Sequence, residues 1–187
     1  MHIRRQLSLF VPPPMGAQLD QCRANLDPVQ ASLIAAHVTL CRDDELLEMT
    51  SIVDRLHQLS RNAHKGIVPL SLGFGAARRG EGHGIFLDCI DGEAVYQRLR
   101  RFLLLPRSAP LAAPLLVRRM APHITLAHPR NPCTEANRSL DFSTLPQYFS
   151  IEFSKIAWIE QHPNCAWQVL QEFQVSLFDL VYLNKKR

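Results

Sequence analysis

The sequence predicts an α+β fold in one compact domain over residues 1–187, and three observations support this prediction. The composition, 47% hydrophobic and 20% charged, is typical of a globular domain. Segments with the two-residue alternation of strands and segments with the three- and four-residue spacing of helices follow one another along the chain. Adjacent strand segments are joined by polar turns, which favours antiparallel pairing. A chain of this length buries enough apolar surface to fold without a metal or disulfide.

The first part of the chain predicts two strands and two helices in alternation. Residues 6–11 form a strand that three prolines end, because proline cannot donate to a ladder, and a short helix covers 17–24. The apolar stretch 33–41 predicts a second strand. A helix over 44–62 follows, since its apolar residues recur at helical spacing and form one stripe that packs on the sheet.

The middle of the chain predicts a hairpin and a third helix. Segments 68–74 and 84–90 are strands joined by a long polar loop, and their pairing is antiparallel. The helix at 92–105 ends at Pro106, whose ring is incompatible with a helix interior. The proline-interrupted segment 107–117 is expected to be a linker between two lobes.

The last part of the chain returns to strands. Segment 122–127 is a strand, and a proline-punctuated stretch over 129–146 follows it. Segments 149–160 and 167–173 alternate well enough to predict a closing hairpin. The basic residues at 185–187 are expected to form a frayed end.

The composition also restricts which cellular compartment and which kinds of partner we expect. Five scattered cysteines without a C-x-x-C pair are typical of reduced thiols rather than of a disulfide framework or a zinc site. The longest apolar window, 109–117, is far shorter than the roughly 20 residues that span a bilayer, and no secretory signal pattern opens the sequence. We therefore expect a cytoplasmic protein without a membrane partner. Its net charge of +4 permits an anionic partner.

One four-residue pattern occurs twice. The chain reads His37-Val-Thr39-Leu and later His123-Ile-Thr125-Leu. On a strand, residues two apart share a face, so each copy presents one imidazole and one hydroxyl on the same side. If the two strands lie side by side, one cleft receives all four side chains.

That set of groups suits phosphodiester chemistry without a metal. A neutral imidazole can take a proton from the attacking oxygen while a protonated one gives a proton to the departing oxygen, because histidine titrates near neutral pH. Threonine hydroxyls can donate to the non-bridging oxygens, where charge builds in the transition state. Motifs of P-loop kinases, zincins and α/β-hydrolases do not occur in the sequence, which disfavours those classes.

The paired motifs resemble those of the 2H phosphoesterase superfamily, which includes bacterial 2′-5′ RNA ligase and cyclic phosphodiesterase proteins. The opening Leu-Ser-Leu-Phe-Val strand, the helix after the first motif and the closing Trp167-to-Phe173 strand extend the resemblance over most of the chain. It implies a bilobed, pseudo-two-fold α+β fold with antiparallel sheets lining a central cleft and helices outside. One departure is Ala36, which stands where members often have proline.

The resemblance also implies roles for individual residues. His37 and His123 match the catalytic histidines, and Thr39 and Thr125 match the phosphate-contacting hydroxyls. No metal and no cofactor are implied. Which histidine is the acid and which the base stays open.

Two arginines are weaker candidates. Arg42 follows the first motif strand and Arg130 follows the second, so a guanidinium is expected near each end of the cleft, where it can bind an anion. His128 is expected to point away from His123, since the two are an odd number of residues apart.

The expected activity is hydrolysis of a 2′,3′-cyclic phosphate or a 2′-5′ phosphodiester, on RNA ends or on a small nucleotide, by a protein that is favoured to be a monomer. Two alternatives stay open. The same chemistry permits 2′-5′ ligation or trimming of RNA 3′ ends. A non-catalytic RNA-binding or nucleotide-binding module is the alternative from another class, although only 7% of residues are aromatic and stacking platforms are therefore few.

Overall fold

The structure, a computed structural model, confirms an antiparallel α+β fold. It describes residues 2–46, 48–61, 63, 66–80, 84–105, 120–130 and 141–178. Within these ranges the strands are β1 (Arg4–Phe10), β2 (His37–Cys41), β3 (Leu70–Arg79), β4 (Ile85–Asp91), β5 (His123–Ala127), β6 (Phe149–Phe153), β7 (Lys155–Gln161) and β8 (Gln168–Gln174). The helices are α1 (Met15–Leu26), α2 (Pro28–Leu33), α3 (Met49–Arg61) and α4 (Glu93–Leu104).

All eight strands join one sheet, in the order β6-β3-β4-β5-β2-β1-β7-β8. Every neighbouring pair is antiparallel. Outward from the β5–β2 boundary, each side consists of a motif strand followed by three further strands. The two lobes expected from the resemblance are therefore the two halves of one continuous sheet, and the two motif strands meet at its centre.

The alternation of the motif strands decides which side chains reach the core. Val38 and Leu40 on β2, and Ile124 and Leu126 on β5, are each fully buried. Burying one such side chain contributes about 1.5–3 kcal/mol, so the register of both strands is strongly specified. The histidines and threonines must then occupy the opposite face.

The interpretation of 33–41 as one strand was wrong at its first residues. Residues Pro28–Leu33 form α2, and β2 begins at His37. The Asp27 side chain accepts a hydrogen bond from the Gln30 N–H at 3.0 Å, and Pro28 stands at the start of the helix. Aspartate at the N-cap and proline in the first turn are a helix-start signal, which the apolar character of the following residues obscured.

The predicted strand over 149–160 is two strands. β6 pairs with β3, whereas β7 pairs with β1, so the chain passes from one half of the sheet to the other at Ser154. The closing hairpin is formed by β7 and β8 alone. β3 extends to Arg79, beyond the predicted end at residue 74. The loop between β3 and β4 is therefore shorter than the sequence predicted.

Several expectations concern features away from the cleft. Cys22, Cys41, Cys89 and Cys165 are free thiols in the structure. Across the described ranges, no helix has both the length and the apolar character needed to cross a membrane. The expected linker at 107–117 and the expected frayed end at 185–187 lie outside the described residues.

Candidate active site

The two motif strands place four polar side chains in one cleft. β2 and β5 pair antiparallel with Val38 opposite Ile124. This register sets His37 beside Thr125 and Thr39 beside His123, because neighbouring residues on antiparallel strands run in opposite order. All four side chains line a cleft of about 500 Å³. The structure thus brings together the residues that the duplicated motif singled out.

Both imidazoles are held in the same way. His37 Nδ1 lies 2.8 Å from the carbonyl oxygen of Ala35, and His123 Nδ1 lies 3.0 Å from that of Ala121. A carbonyl oxygen can only accept, so each Nδ1 carries the proton and donates it. Nε2 is therefore the ring nitrogen left for a substrate, as an acceptor in the neutral ring and as a donor in the imidazolium.

The surroundings of His37 favour its neutral form. Desolvation is the main cause that lowers the pKa of His37, the charges of Arg23 and His123 act in the same direction, and the Ala35 carbonyl and Asp20 oppose them; together they bring the pKa to about 4. A histidine with so low a pKa is uncharged at neutral pH. It is then ready to accept a proton.

An aromatic ring from the neighbouring strand stands beside each histidine. Phe10 lies opposite His37 in the β1–β2 register, with ring centroids 6.0 Å apart. Phe86 on β4 meets His123 edge to face at 5.5 Å. Each ring packs against one side of its imidazole and so restricts the rotamers of the histidine. The two halves of the sheet build this arrangement independently.

Arg42 and Arg130 both line the cleft, as the sequence predicted. The Arg42 backbone N–H donates to Glu45 Oε2 at 2.9 Å, and the Arg130 backbone N–H donates to His128 Nδ1 at 3.1 Å. The backbone of each arginine is thus anchored, while both residues are exposed. Exposed guanidinium groups on anchored loops are suited to meeting an anion that enters from solvent.

The cleft also contains residues that sequence reasoning missed. Arg4 lines the cleft with its guanidinium 5.2 Å from the ring centroid of Trp167, and buried Arg23 lines it from α1. Neither arginine belongs to a motif, so no local pattern marked them. His128 lines the cleft as well, and its backbone N–H donates to Asp27 Oδ2 at 2.8 Å just beyond the end of β5.

A buried polar network supports β2 from behind. The Tyr96 hydroxyl on α4 donates to the Thr39 carbonyl at 2.6 Å. Arg100, one turn later, donates to the Leu40 carbonyl and forms an ion pair with Glu45. Glu45 in turn holds the Arg42 backbone. Helix α4 thereby connects the first motif to the loop that carries Arg42.

The donor set of the cleft is rich in nitrogen and poor in acidic ligands. Asp43 and Asp44 are its acidic lining residues, and Asp43 is engaged by His2 and by the Arg5 backbone N–H. Nowhere in the described part of the chain do three His, Cys, Asp or Glu side chains come together in a group that could hold a metal ion. The excess of cationic side chains favours an anionic ligand.

Comparison of the chain with protein-family models and with curated proteins gives no match. The structure is similar to a crystal structure of E. coli LigT complexed with 3′-AMP, with a TM-score of 0.51 and 16% sequence identity over 92% of this chain and 97% of LigT. A structure of E. coli LigT complexed with ATP aligns with a TM-score of 0.48 and 14% identity over 92% of this chain and 98% of LigT. The likeness to the 3′-AMP complex shows that this chain has the fold of LigT.

Proposed function

We propose that this protein is a 2H phosphoesterase that opens 2′,3′-cyclic phosphates on RNA ends or on nucleotides, without a metal. The observation that carries the proposal is the pair of imidazoles at the centre of the sheet. Each directs its Nδ1–H to a backbone carbonyl and has a threonine of the opposite motif beside it in the strand register. Two histidines in the same tautomer, in one cationic cleft, are the parts that acid–base catalysis at phosphorus requires.

In this proposal His37 is the general base. Its pKa of about 4 keeps Nε2 unprotonated at neutral pH, so it can accept a proton from the attacking water. The water oxygen then forms a bond to phosphorus. His123 enters as the imidazolium, and its Nε2–H passes to the ribose oxygen as the phosphorus–oxygen bond breaks. The product is a phosphomonoester beside a free hydroxyl, and the two histidines have exchanged protonation states.

The remaining groups of the cleft stabilise the charge that develops on phosphorus. The Thr39 and Thr125 hydroxyls donate to the non-bridging oxygens, where negative charge is greatest in the transition state. Arg42 and Arg130 neutralise the phosphate from the ends of the two motif strands. Because the two threonines lie on strands of the sheet, their hydroxyls need little reorganisation during the reaction.

The LigT structure with the same fold supports a nucleotide as the ligand of this cleft. That structure is complexed with 3′-AMP, which is one of the two monophosphates that hydrolysis of a 2′,3′-cyclic adenosine phosphate can yield. The aromatic and cationic pair of Trp167 and Arg4 at the cleft offers a surface suited to a base or a further phosphate.

The proposal is tested by incubating the purified protein, with a chelator present, with each 2′,3′-cyclic mononucleotide and with a short RNA that ends in a cyclic phosphate. We expect ring opening that the chelator does not prevent, and the position of the product phosphate identifies the leaving oxygen. Joined or shortened RNA in the same reactions would instead favour the 2′-5′ ligase or the 3′-trimming activity. Tight nucleotide binding without any product would favour the binding module.

The pH dependence of kcat/KM should report the low pKa of His37. The base must be unprotonated, so activity is present above the pKa of His37 and is lost as the pH falls through it. We expect the acidic limb near pH 4, because desolvation, together with the charges around the ring, lowers the pKa of His37 to about 4. An acidic limb at the ordinary histidine value of about 6.5, which His37→Asn fails to alter, would contradict this assignment.

Replacing either exposed arginine should raise the free energy of the transition state by about the contribution of one hydrogen bond to a charged group. A hydrogen bond to a charged group contributes about 1.5–3 kcal/mol, so Arg42→Ala or Arg130→Ala is expected to lower kcat/KM about 10- to 100-fold. Arg98→Ala on α4, outside the cleft lining, is the matched control. Steady-state kinetics at two salt concentrations measure kcat/KM for each variant. An equal loss of kcat/KM in all three variants would refute a local role for Arg42 and Arg130.

A further inference from the structure

The seam between the two motif strands is short. Among the described residues, β2 and β5 share one register pair, Val38 with Ile124. By contrast, β1 pairs with β2 from Leu7 to Phe10, and β4 pairs with β5 from Ile85 to Asp88. Each histidine is therefore well anchored within its own half of the sheet. The spacing between the two histidines depends on contacts outside this short ladder.

Helix α1 supplies such a contact across the seam. Asp20 Oδ1 accepts from the backbone N–H of Ala36 at 2.7 Å and from Arg23 Nη1 at 2.6 Å. Arg23 Nε donates to the carbonyl of Thr125 at 3.1 Å. A continuous chain of hydrogen bonds thus links the residue before His37 to a residue of the second motif.

The burial of Arg23 argues that these hydrogen bonds have a role beyond stabilising the fold. Arg23 is only 1% exposed, although it lines the cleft. Burying a guanidinium costs several kcal/mol before its partners compensate, and apolar residues of similar size often stabilise a fold equally well. A charged side chain at this position donates directly to β5, reaches the residue before β2 through Asp20, and places a positive charge close to the proposed reaction.

We infer that Asp20 and Arg23 are positioning residues, which set the spacing and alignment of the two imidazoles by bridging the motif strands. This inference rests on the proposed function, for which the relative placement of two proton-transfer groups decides the rate. The charges of the pair also act on His37. Desolvation is the largest cause of the low pKa of His37 and the Ala35 carbonyl opposes it; Arg23 and His123 on β5 lower this pKa as well, and Asp20 raises it.

The test compares Arg23→Gln and Asp20→Asn with Arg55→Gln as a matched control. Arg55 is also buried, at 4% exposed, and donates to the carbonyls of Phe102 and Leu103 between α3 and α4. Three quantities are measured for each variant: the His37 titration by NMR without substrate, kcat and KM on a 2′,3′-cyclic nucleotide, and the thermal unfolding midpoint.

We expect the two bridge variants to move the titration of His37 in opposite directions, upward for Arg23→Gln and downward for Asp20→Asn. Both should lower kcat by about 10- to 100-fold, the effect of a misplacement near 1 Å, with a smaller change in KM. Arg55→Gln should lower the unfolding midpoint and leave the titration and kcat unchanged. Arg23→Lys keeps the charge without the forked donors, so it should lose kcat while its His37 titration stays near that of the wild type.

The inference is overturned if Arg23→Gln and Arg23→Lys keep wild-type kcat, or if Arg55→Gln lowers kcat and moves the titration as strongly as the bridge variants. If Arg23→Gln does not fold, Asp20→Asn and Arg23→Lys decide the question. A wild-type protein inactive on cyclic nucleotides would refute the proposed function instead. The titrations need no substrate, so in that case they still test whether the pair is coupled to His37, and an unmoved His37 titration in both Arg23→Gln and Asp20→Asn would overturn the inference.

Discussion

Replacing His37 or His123 by alanine is expected to lower the turnover of a 2′,3′-cyclic nucleotide by about 10²- to 10⁴-fold, the usual contribution of general acid–base catalysis. Each replacement removes one Nε2 from the cleft while the threonines and arginines stay in place. Binding should therefore persist, and the loss should appear in kcat more than in KM. Single-turnover assays on the purified variants measure the effect directly.

Two comparisons make this result specific. His57→Ala removes an exposed histidine on α3, whose ring packs on Phe173 at 5.3 Å, and it should leave turnover unchanged. The double variant His37→Ala, His123→Ala should lose much less than the product of the two single losses, because residues that act as a unit are strongly non-additive. Near-wild-type turnover in either single variant would end the assignment of a two-histidine mechanism.

Replacing Arg100 by methionine is expected to lower the free energy of unfolding by about 3–5 kcal/mol, the cost of removing one partner of a buried ion pair. Arg100 is fully buried. The replacement removes the cationic partner of Glu45 and the Arg100 donor to the Leu40 carbonyl. The Leu40 carbonyl is part of β2, and the Glu45 side chain is only 14% exposed, so water cannot easily replace the lost bonds. Denaturant unfolding followed by circular dichroism measures the change.

Arg98→Met provides the control for this second prediction. Arg98 is on the same helix and is only half-buried, with its Nε donating to the Ala94 carbonyl at 3.4 Å. Its replacement should change the free energy of unfolding by no more than about 0.5 kcal/mol. Comparable losses in the two variants would mean that the helix, rather than the network behind β2, accounts for the stability.

The agreement between sequence and structure is greatest where the pattern is local. The spacing of His37 and Thr39 on one strand, and of His123 and Thr125 on the other, requires that each pair share a face. The helix predicted at 92–105 is observed as Glu93–Leu104. The apolar spacing over 44–62 predicts α3 and its end correctly, but α3 begins only at Met49, after a 3-10 turn at Asp43–Glu45. Strand and helix periodicities depend on residues a few positions apart, so one sequence contains enough information to recognise them.

Disagreements arise where long-range pairing decides the structure. The division of 149–160 into β6 and β7 depends on which strands lie on either side, β3 for one and β1 for the other. Alternation along the chain continues across the break and does not reveal it. The predicted start of β2 is too early for a different reason. The cap at Asp27 begins a helix, whereas the apolar run that follows it suggests a strand.

By itself, the sequence determined which side chains are proposed to react and which strand faces carry them, because those follow from residue type and a period of two. Only the tertiary structure decided that β2 and β5 are neighbours at the centre of one sheet. It also decided that Arg23 and Asp20 on α1 bridge them, and that Arg4 and His128 line the same cleft. These contacts join residues far apart in the chain, and their formation depends on how the whole apolar core packs rather than on any local pattern.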